Sequence, residues 1–246
     1  ETTSVLGAWW AACLLKPQIE TRTSLFPFVA IEAPSESGKT NGFFDQMTQL
    51  NGNTQGEMQP TKAALRDMTA AHRNGIVWVD DLDDPANLME LLRAATSGGT
   101  LTKMAEDRVT VVQTQIVAPI VISGEALGIN SQKALIDRAV LLKVKSPTGR
   151  KSLHDPKKTQ WDDVLALREQ YPHGLSAVAG WIVQEALTVQ DEVLAAVVEG
   201  RKDRSGRVAD KIGILRAGAR LMDYLLSESD DASDAWKGTG ATAAGV

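Results

Sequence analysis

The feature that most constrains this chain is the run APSESGKT: Ala33, Pro34, Ser35, Glu36, Ser37, Gly38, Lys39 and Thr40. It follows directly on an apolar, aromatic-rich segment, Leu25 to Ile31, that reads as a buried strand despite Pro27 near its start. It precedes a segment, Lys39 to about Leu50, whose pattern suits a helix ended by Asn51-Gly52. A strand, a small polar loop closed by Gly-Lys-Thr and a helix form the setting in which backbone N–H groups surround phosphates. The run fits the P-loop pattern, with Ala33 in place of the first Gly. Lys39 is then expected to reach the β and γ phosphates, and the Thr40 hydroxyl to hold Mg²⁺. The expected ligand is a nucleoside triphosphate, ATP with Mg²⁺, bound for hydrolysis.

A phosphate loop of this kind needs a sheet behind it. Ile76 to Val79 (IVWV) is a short apolar run ending in Asp80-Asp81, where a Walker B strand delivers carboxylates to the metal. Asp80 is expected to orient Mg²⁺ and Asp81 to polarise the attacking water, whereas Asp83 and Asp84 merely solvate the strand end. Thr61 to Arg73 reads as a helix, and Pro85 opens another that Ser97-Gly98-Gly99 breaks. Val109 to Gln115 alternates like an exposed hairpin strand. Ala118 to Ser123 reads as a buried strand, residues 131–138 as a short helix, and Ala139 to Val144 as the last strand. Ser123 ends its strand beside the expected γ-phosphate, where a hydroxyl can position water. Asp137-Arg138 precedes the final strand, where an exposed guanidinium can serve a neighbouring subunit's nucleotide as an arginine finger. The fold expected is α/β, a mostly parallel sheet of the P-loop NTPase kind with flanking helices, followed by a helical lobe.

The lobe begins after Ser146-Pro147-Thr148-Gly149, beyond which no strand pattern recurs. Trp161 to Gln170, Leu175 to Val198 and Arg207 to Ser227 are helical in period. Within the last, Ile212, Leu215, Ala219, Met222 and Leu226 mark an apolar face, and Trp9, Trp10 and Trp181 read as core residues. The expected organisation is an ATPase core over 1–147, including an N-terminal helix at 4–15 stopped by Pro17. A helical lobe over 148–228 and a flexible tail over 229–246 follow. The single Cys13 excludes an internal disulfide, and His72, His154 and His173 are too scattered for a zinc site. The longest apolar stretches fall short of the roughly 20 residues of a membrane span, so no membrane partner is expected. A cytoplasmic location fits these readings. The start, ETTSV, lacks the features of a signal peptide and reads as the beginning of an excised piece. Net charge of −5 neither supports nor excludes nucleic acid, since a ring can carry a basic lining on an acidic body.

The order of these elements resembles AAA+ ATPases, and among them superfamily 3-like helicase domains of phage and mobile-element replication proteins of the primase-helicase type. The resemblance spans Leu6 to Val144, and the segment Ser97 to Glu125 looks like the hairpin those helicases project into a central pore to grip DNA. It implies Lys103 and Arg108, with Thr102 beside them, as DNA contacts. Ser123 stands where those helicases usually carry Asn, and Thr100 where an acidic residue usually follows Gly-Gly. The resemblance implies an ATP-dependent helicase or translocase acting on single-stranded or forked DNA as a homo-oligomeric ring, a hexamer. The alternative is an AAA+ switch or protein-remodelling ATPase, such as a helicase loader or a defence ATPase, whose hairpin would contact protein. The polar tip TKMAEDR favours DNA. A P-loop kinase would explain neither the Gly-Gly hairpin nor Asp137-Arg138. Arg207, Arg216 and Arg220 are candidates for a second nucleotide sensor, with nothing to select one.

Overall fold

The computed structural model describes residues 2–34, 37, 47, 50, 57–58, 60–72, 75–104, 109–144, 166, 169–170, 174–202 and 204–227. The helix expected from Lys39 to Leu50 lies outside these residues apart from helical Met47 and Leu50. That expected from Trp161 to Gln170 lies outside apart from helical 166, 169 and 170, and the tail from 229 lies wholly outside.

Two helices open the chain, α1 (Thr2–Leu14) and α2 (Lys16–Glu20). Pro17 does not end the helical path. It sits in the first turn of α2, where its missing N–H costs nothing, so the chain restarts one residue after the break. Strand β1 (Phe28–Glu32) follows, then β2 (Glu57–Met58), α3 (Lys62–Ala71) and β3 (Val77–Asp80). Thr61 caps α3 by accepting the Ala64 N–H at 3.2 Å. Pro85–Leu88 forms a 3₁₀ turn before α4 (Met89–Ser97), and Gly98 ends α4 in the left-handed region at φ 62°. An antiparallel hairpin, β4 (Thr100–Met104) and β5 (Val111–Gln115), stands apart as its own two-stranded sheet. Strand β6 (Ile120–Gly124), α5 (Lys133–Ile136) and β7 (Ala139–Lys143) complete the α/β part. Helices α6 (Gly174–Thr188), α7 (Gln190–Gly200) and α8 (Gly206–Ser227) close the chain.

The main sheet has the order β2-β3-β6-β1-β7, and every neighbouring pair in it is parallel. Side chains alternate between its faces. Val29, Ile31, Trp78, Val121, Val140 and Leu142 share one core cluster with α1 and with Ile182, Val193, Ile214 and Leu221 of the last three helices. Phe28, Ala30, Val77, Val79, Ile120 and Ile122 share the other with Leu65, Leu91 and Leu135 of α3, α4 and α5. The C-terminal helices thus lie with α1 against one face of the sheet, and α3 to α5 cover the other. That burial on both faces explains why the strands read as continuous apolar runs.

Three details differ from the sequence reading. The helix expected across 175–198 is two helices separated at Val189. The buried side of α8 is Ala209, Gly213, Ile214, Ala217, Gly218, Leu221 and Leu225, and the predicted residues Ile212, Leu215, Ala219, Met222 and Leu226 flank it half-buried. Small residues there admit the neighbouring backbone, which a pattern weighted toward large apolar side chains misses. Trp9 and Trp10 are core residues, but Trp181 is 39% exposed on α6.

Candidate active site

In open parallel sheets, ligands bind beyond the carboxyl ends of the strands. Here β6 lies between β1 and β3, so its end separates the strand that runs into Ala33 from the strand that ends in Asp80. Two backbone bonds extend the ladder past the strands: Ala33 N–H donates to the Gly124 carbonyl at 3.0 Å, and Leu82 N–H donates to the Ser123 carbonyl at 2.9 Å. The second requires glycine at 124, because a Cβ there would sit 2.3 Å from the Leu82 carbonyl oxygen.

Register brings three side chains together. Trp78 pairs with Val121. Asp80 lies two residues beyond Trp78 and Ser123 two beyond Val121, so all three project from the same face. A large side chain reaches its diagonal neighbour two residues along the next strand. The Trp78 indole accordingly donates to Ser123 Oγ at 2.8 Å, and Ser123 Oγ donates to Asp80 Oδ1 at 2.6 Å. The same Oδ1 accepts the Asp81 N–H at 2.9 Å. Ser123 is fully buried, and its hydroxyl hydrogen is directed at the carboxylate. Asp81 is exposed and has φ 54°, the only positive value among the described non-glycine residues. Aspartate tolerates this left-handed conformation better than most residues, and it turns the chain sharply after β3.

At the other side of the β1 end, Glu32 pairs with Lys143 of β7 at 2.7 Å. This offsets a negative charge next to the loop expected to hold phosphates. Of that loop, Ala33, Pro34 and Ser37 are described, and Ser35, Glu36, Gly38, Lys39 and Thr40 lie outside the described residues. Ser37 N–H donates to the Pro34 carbonyl at 3.3 Å. The Ser37 hydroxyl is enclosed yet has no hydrogen-bond partner among the described residues. An enclosed hydroxyl lacking a partner suits a phosphate oxygen, and a fixed carboxylate is the hard oxygen donor that Mg²⁺ prefers. The described residues of this edge could therefore hold a magnesium nucleotide.

The remaining described candidates, Arg138 and Lys103, lie off these strand ends. Arg138 follows α5 and donates through Nη1 to the Ala134 carbonyl at 2.8 Å. Its neighbour Asp137 pairs instead with Arg207 of α8 at 3.5 Å. Burial lowers the Arg138 pKa, and the nearby Arg207 and Arg93 guanidinia lower it further against the opposing pull of Asp137. Lys211 of α8 braces this corner by donating to the Ala139 carbonyl at 3.1 Å. Lys103 is exposed on β4 opposite Val112, and Arg108 lies outside the described residues.

By sequence alone, Trp78 is one apolar member of IVWV, and Gly124, Lys143 and Arg93 have no assigned role. A signal did exist for Trp78, since a buried indole N–H needs an acceptor.

Fold and site together define an α/β protein with a parallel five-stranded sheet and polar groups gathered at its carboxyl edge. Its fold is similar to that of a solved structure, the SCCmec type IV Cch active helicase, with a TM-score of 0.59 and 14% identity. The match covers 98% of this chain and 47% of that one, so the chain spans about half that helicase's length. This likeness shows a helicase-like fold. No known family profile matches the sequence, and no curated protein does. Among the described residues, no helix is long and apolar enough to cross a membrane.

Proposed function

We propose that this chain is the motor portion of an ATP-dependent DNA helicase or translocase acting in replication of a phage or mobile element. The observation that carries this reading is the bond between Ser123 and Asp80, which joins two adjacent strand ends beside the strand leading into Ala33–Thr40. Lys39 and the loop backbone hold the phosphates, and Thr40 and Asp80 are the residues that would hold Mg²⁺. Magnesium ATP, when bound, supplies the phosphoanhydride to be cleaved and a cation that spreads the charge of the leaving phosphates. Asp81 orients the attacking water, and Ser123 keeps Asp80 in place. Arg138, crowded by two other guanidinia, favours an anionic partner and serves the nucleotide of the next subunit in a hexameric ring. The β4–β5 hairpin presents Lys103 and Arg108 to the phosphates of single-stranded or forked DNA. The helicase-like fold supports this reading.

One observation favours the second reading, an AAA+ switch or protein-remodelling ATPase. Val109 and Val111 of the hairpin are 82% and 53% exposed, an apolar surface suited to gripping a polypeptide.

The test is steady-state ATP hydrolysis by the wild type and Lys39→Ala, with and without single-stranded DNA, at low and moderate salt. The motor reading expects activity that is lost in Lys39→Ala and raised by DNA, with the stimulation falling as salt rises. Activity that depends on Lys39 but ignores DNA overturns the motor in favour of the remodelling ATPase. Activity indifferent to Lys39→Ala overturns both.

A further inference from the structure

We infer that Trp78 is a positioning residue for Asp80: its indole N–H turns the Ser123 hydroxyl onto the carboxylate, and so sets the orientation in which Asp80 receives a divalent cation. This rests on the nucleotide-hydrolysing reading of the site and adds to it a residue that touches neither nucleotide nor metal.

The direction of the relay follows from what each group can do. An indole N–H only donates, an ionised carboxylate only accepts, and a serine hydroxyl has one hydrogen and two lone pairs. With the Trp78 N–H directed at Ser123 Oγ at 2.8 Å, the serine hydrogen goes to Asp80 Oδ1 at 2.6 Å. No reversed arrangement is available. Trp78 is 3% exposed and Ser123 0%, so water does not compete for the bond between them. The Asp81 N–H reaches the same Oδ1 at 2.9 Å, and two donors on one oxygen oppose rotation of the carboxylate. Ser123 thus acts by holding Asp80, its hydrogen being committed there. Trp78 fixes that commitment from the far side. Groups that orient a metal-binding carboxylate control how tightly it binds.

Trp78→Phe keeps the ring in the core and removes the N–H. In ¹⁵N-tryptophan spectra of the full chain, the indole signal missing from Trp78→Phe identifies Trp78. In the wild type it should be protected from solvent exchange, and Ser123→Ala should shift it and speed its exchange. The Mg²⁺ concentration giving half-maximal ATP hydrolysis should rise about tenfold in Trp78→Phe. Ser123→Ala should raise it similarly, and adding Trp78→Phe to Ser123→Ala should change nothing more, as for two links of one chain.

The inference is overturned if the Trp78 indole ignores Ser123→Ala, or if Trp78→Phe keeps the wild-type Mg²⁺ requirement. Effects of the two substitutions that multiply also overturn it. Should Trp78→Phe fail to fold, Ser123→Ala alone decides, and a wild-type Mg²⁺ requirement in it sinks the relay. A wild type lacking Lys39-dependent hydrolysis overturns the ATPase reading and the inference with it. Lys39-dependent hydrolysis with an unaltered Mg²⁺ response in Trp78→Phe overturns the inference alone.

Discussion

Gly218 of α8 lies against Ala8 of α1 so closely that a Cβ at residue 218 would sit 1.7 Å from the Ala8 carbonyl oxygen. Two opposed effects follow for Gly218→Ala. Helix propensity favours alanine by about 1 kcal/mol. Forcing two backbones apart in a packed interior costs about 1–3 kcal/mol or more. The obstacle is a carbonyl rather than a flexible side chain, so the second effect wins. Gly218→Ala is expected to destabilise the chain by about 2 kcal/mol, read as a lower urea midpoint with an unchanged slope.

Asp81 separates stability from function. Glycine adopts its φ of 54° freely, but loses more entropy on folding, and the two effects of about 1 kcal/mol nearly cancel. Asp81→Gly is expected to unfold within about 0.5 kcal/mol of the wild type, whereas Asp81→Val, β-branched and strained there, loses about 1–2 kcal/mol. Under the proposed mechanism both lose hydrolysis. Chemical denaturation beside an ATPase assay checks this, and wild-type turnover in Asp81→Gly would remove Asp81 from the chemistry.

A buried carboxylate ties α8 to the start of the sheet. Asp210 is fully buried, accepts the Ser24 N–H at 2.9 Å and the Ser24 hydroxyl, and pairs with Arg201 at 2.8 Å. Arg201 donates to the Arg22 carbonyl. Asp210→Ala leaves both Ser24 donors without their acceptor and Arg201 without its paired charge, and is expected to cost about 3 kcal/mol. Glu192→Ala, which removes an exposed pair with Arg220 at 3.9 Å, should cost under about 1 kcal/mol. Equal midpoints for the two variants would contradict the assigned difference.

Cys13 reports on opening of the core. Its thiol is buried and donates to the Trp9 carbonyl at 3.2 Å. Burial pushes its pKa well up, against weaker opposing effects of Lys16 and a backbone bond. It should resist alkylation at pH 8 in the folded chain and react fully in denaturant. The unfolded thiol releases its proton near pH 8.5 while the folded one keeps it. The thiol's contribution to stability is therefore whole below that pH and is lost as pH rises toward the folded value. Rapid labelling of the native chain would show that α1 is not packed as described.

The strands leading to Asp80 and Ser123 were legible because apolar runs bounded by turn residues have few other uses: Val77–Asp80 lies one residue beyond the expected span, and Ile120–Gly124 starts two residues and ends one residue beyond its own. The two-residue β2 is too short to show a period. The split at Val189 has no glycine or proline to announce it. The side of α8 that is buried depends on where α1 passes, and the Asp137–Arg207 pair joins residues far apart in the chain. For the same reason, the identity of Trp78 was readable but its partner was not: Ser123 becomes its neighbour only through the parallel register of β3 and β6.

The hairpin is joined to the sheet by more than a loop. Past β5, Ile116 N–H donates to the Gly99 carbonyl at 3.0 Å and Ala118 N–H to the Thr69 carbonyl at 3.0 Å, and the connection from Ile116 to Pro119 bends at Ala118 before β6 begins. The hairpin is thus fixed through Gly99 and Thr69 at the root of the strand that bears Ser123. Its placement beside the sheet is set by backbone bonds on both sides of the connection rather than left to the length of a loop.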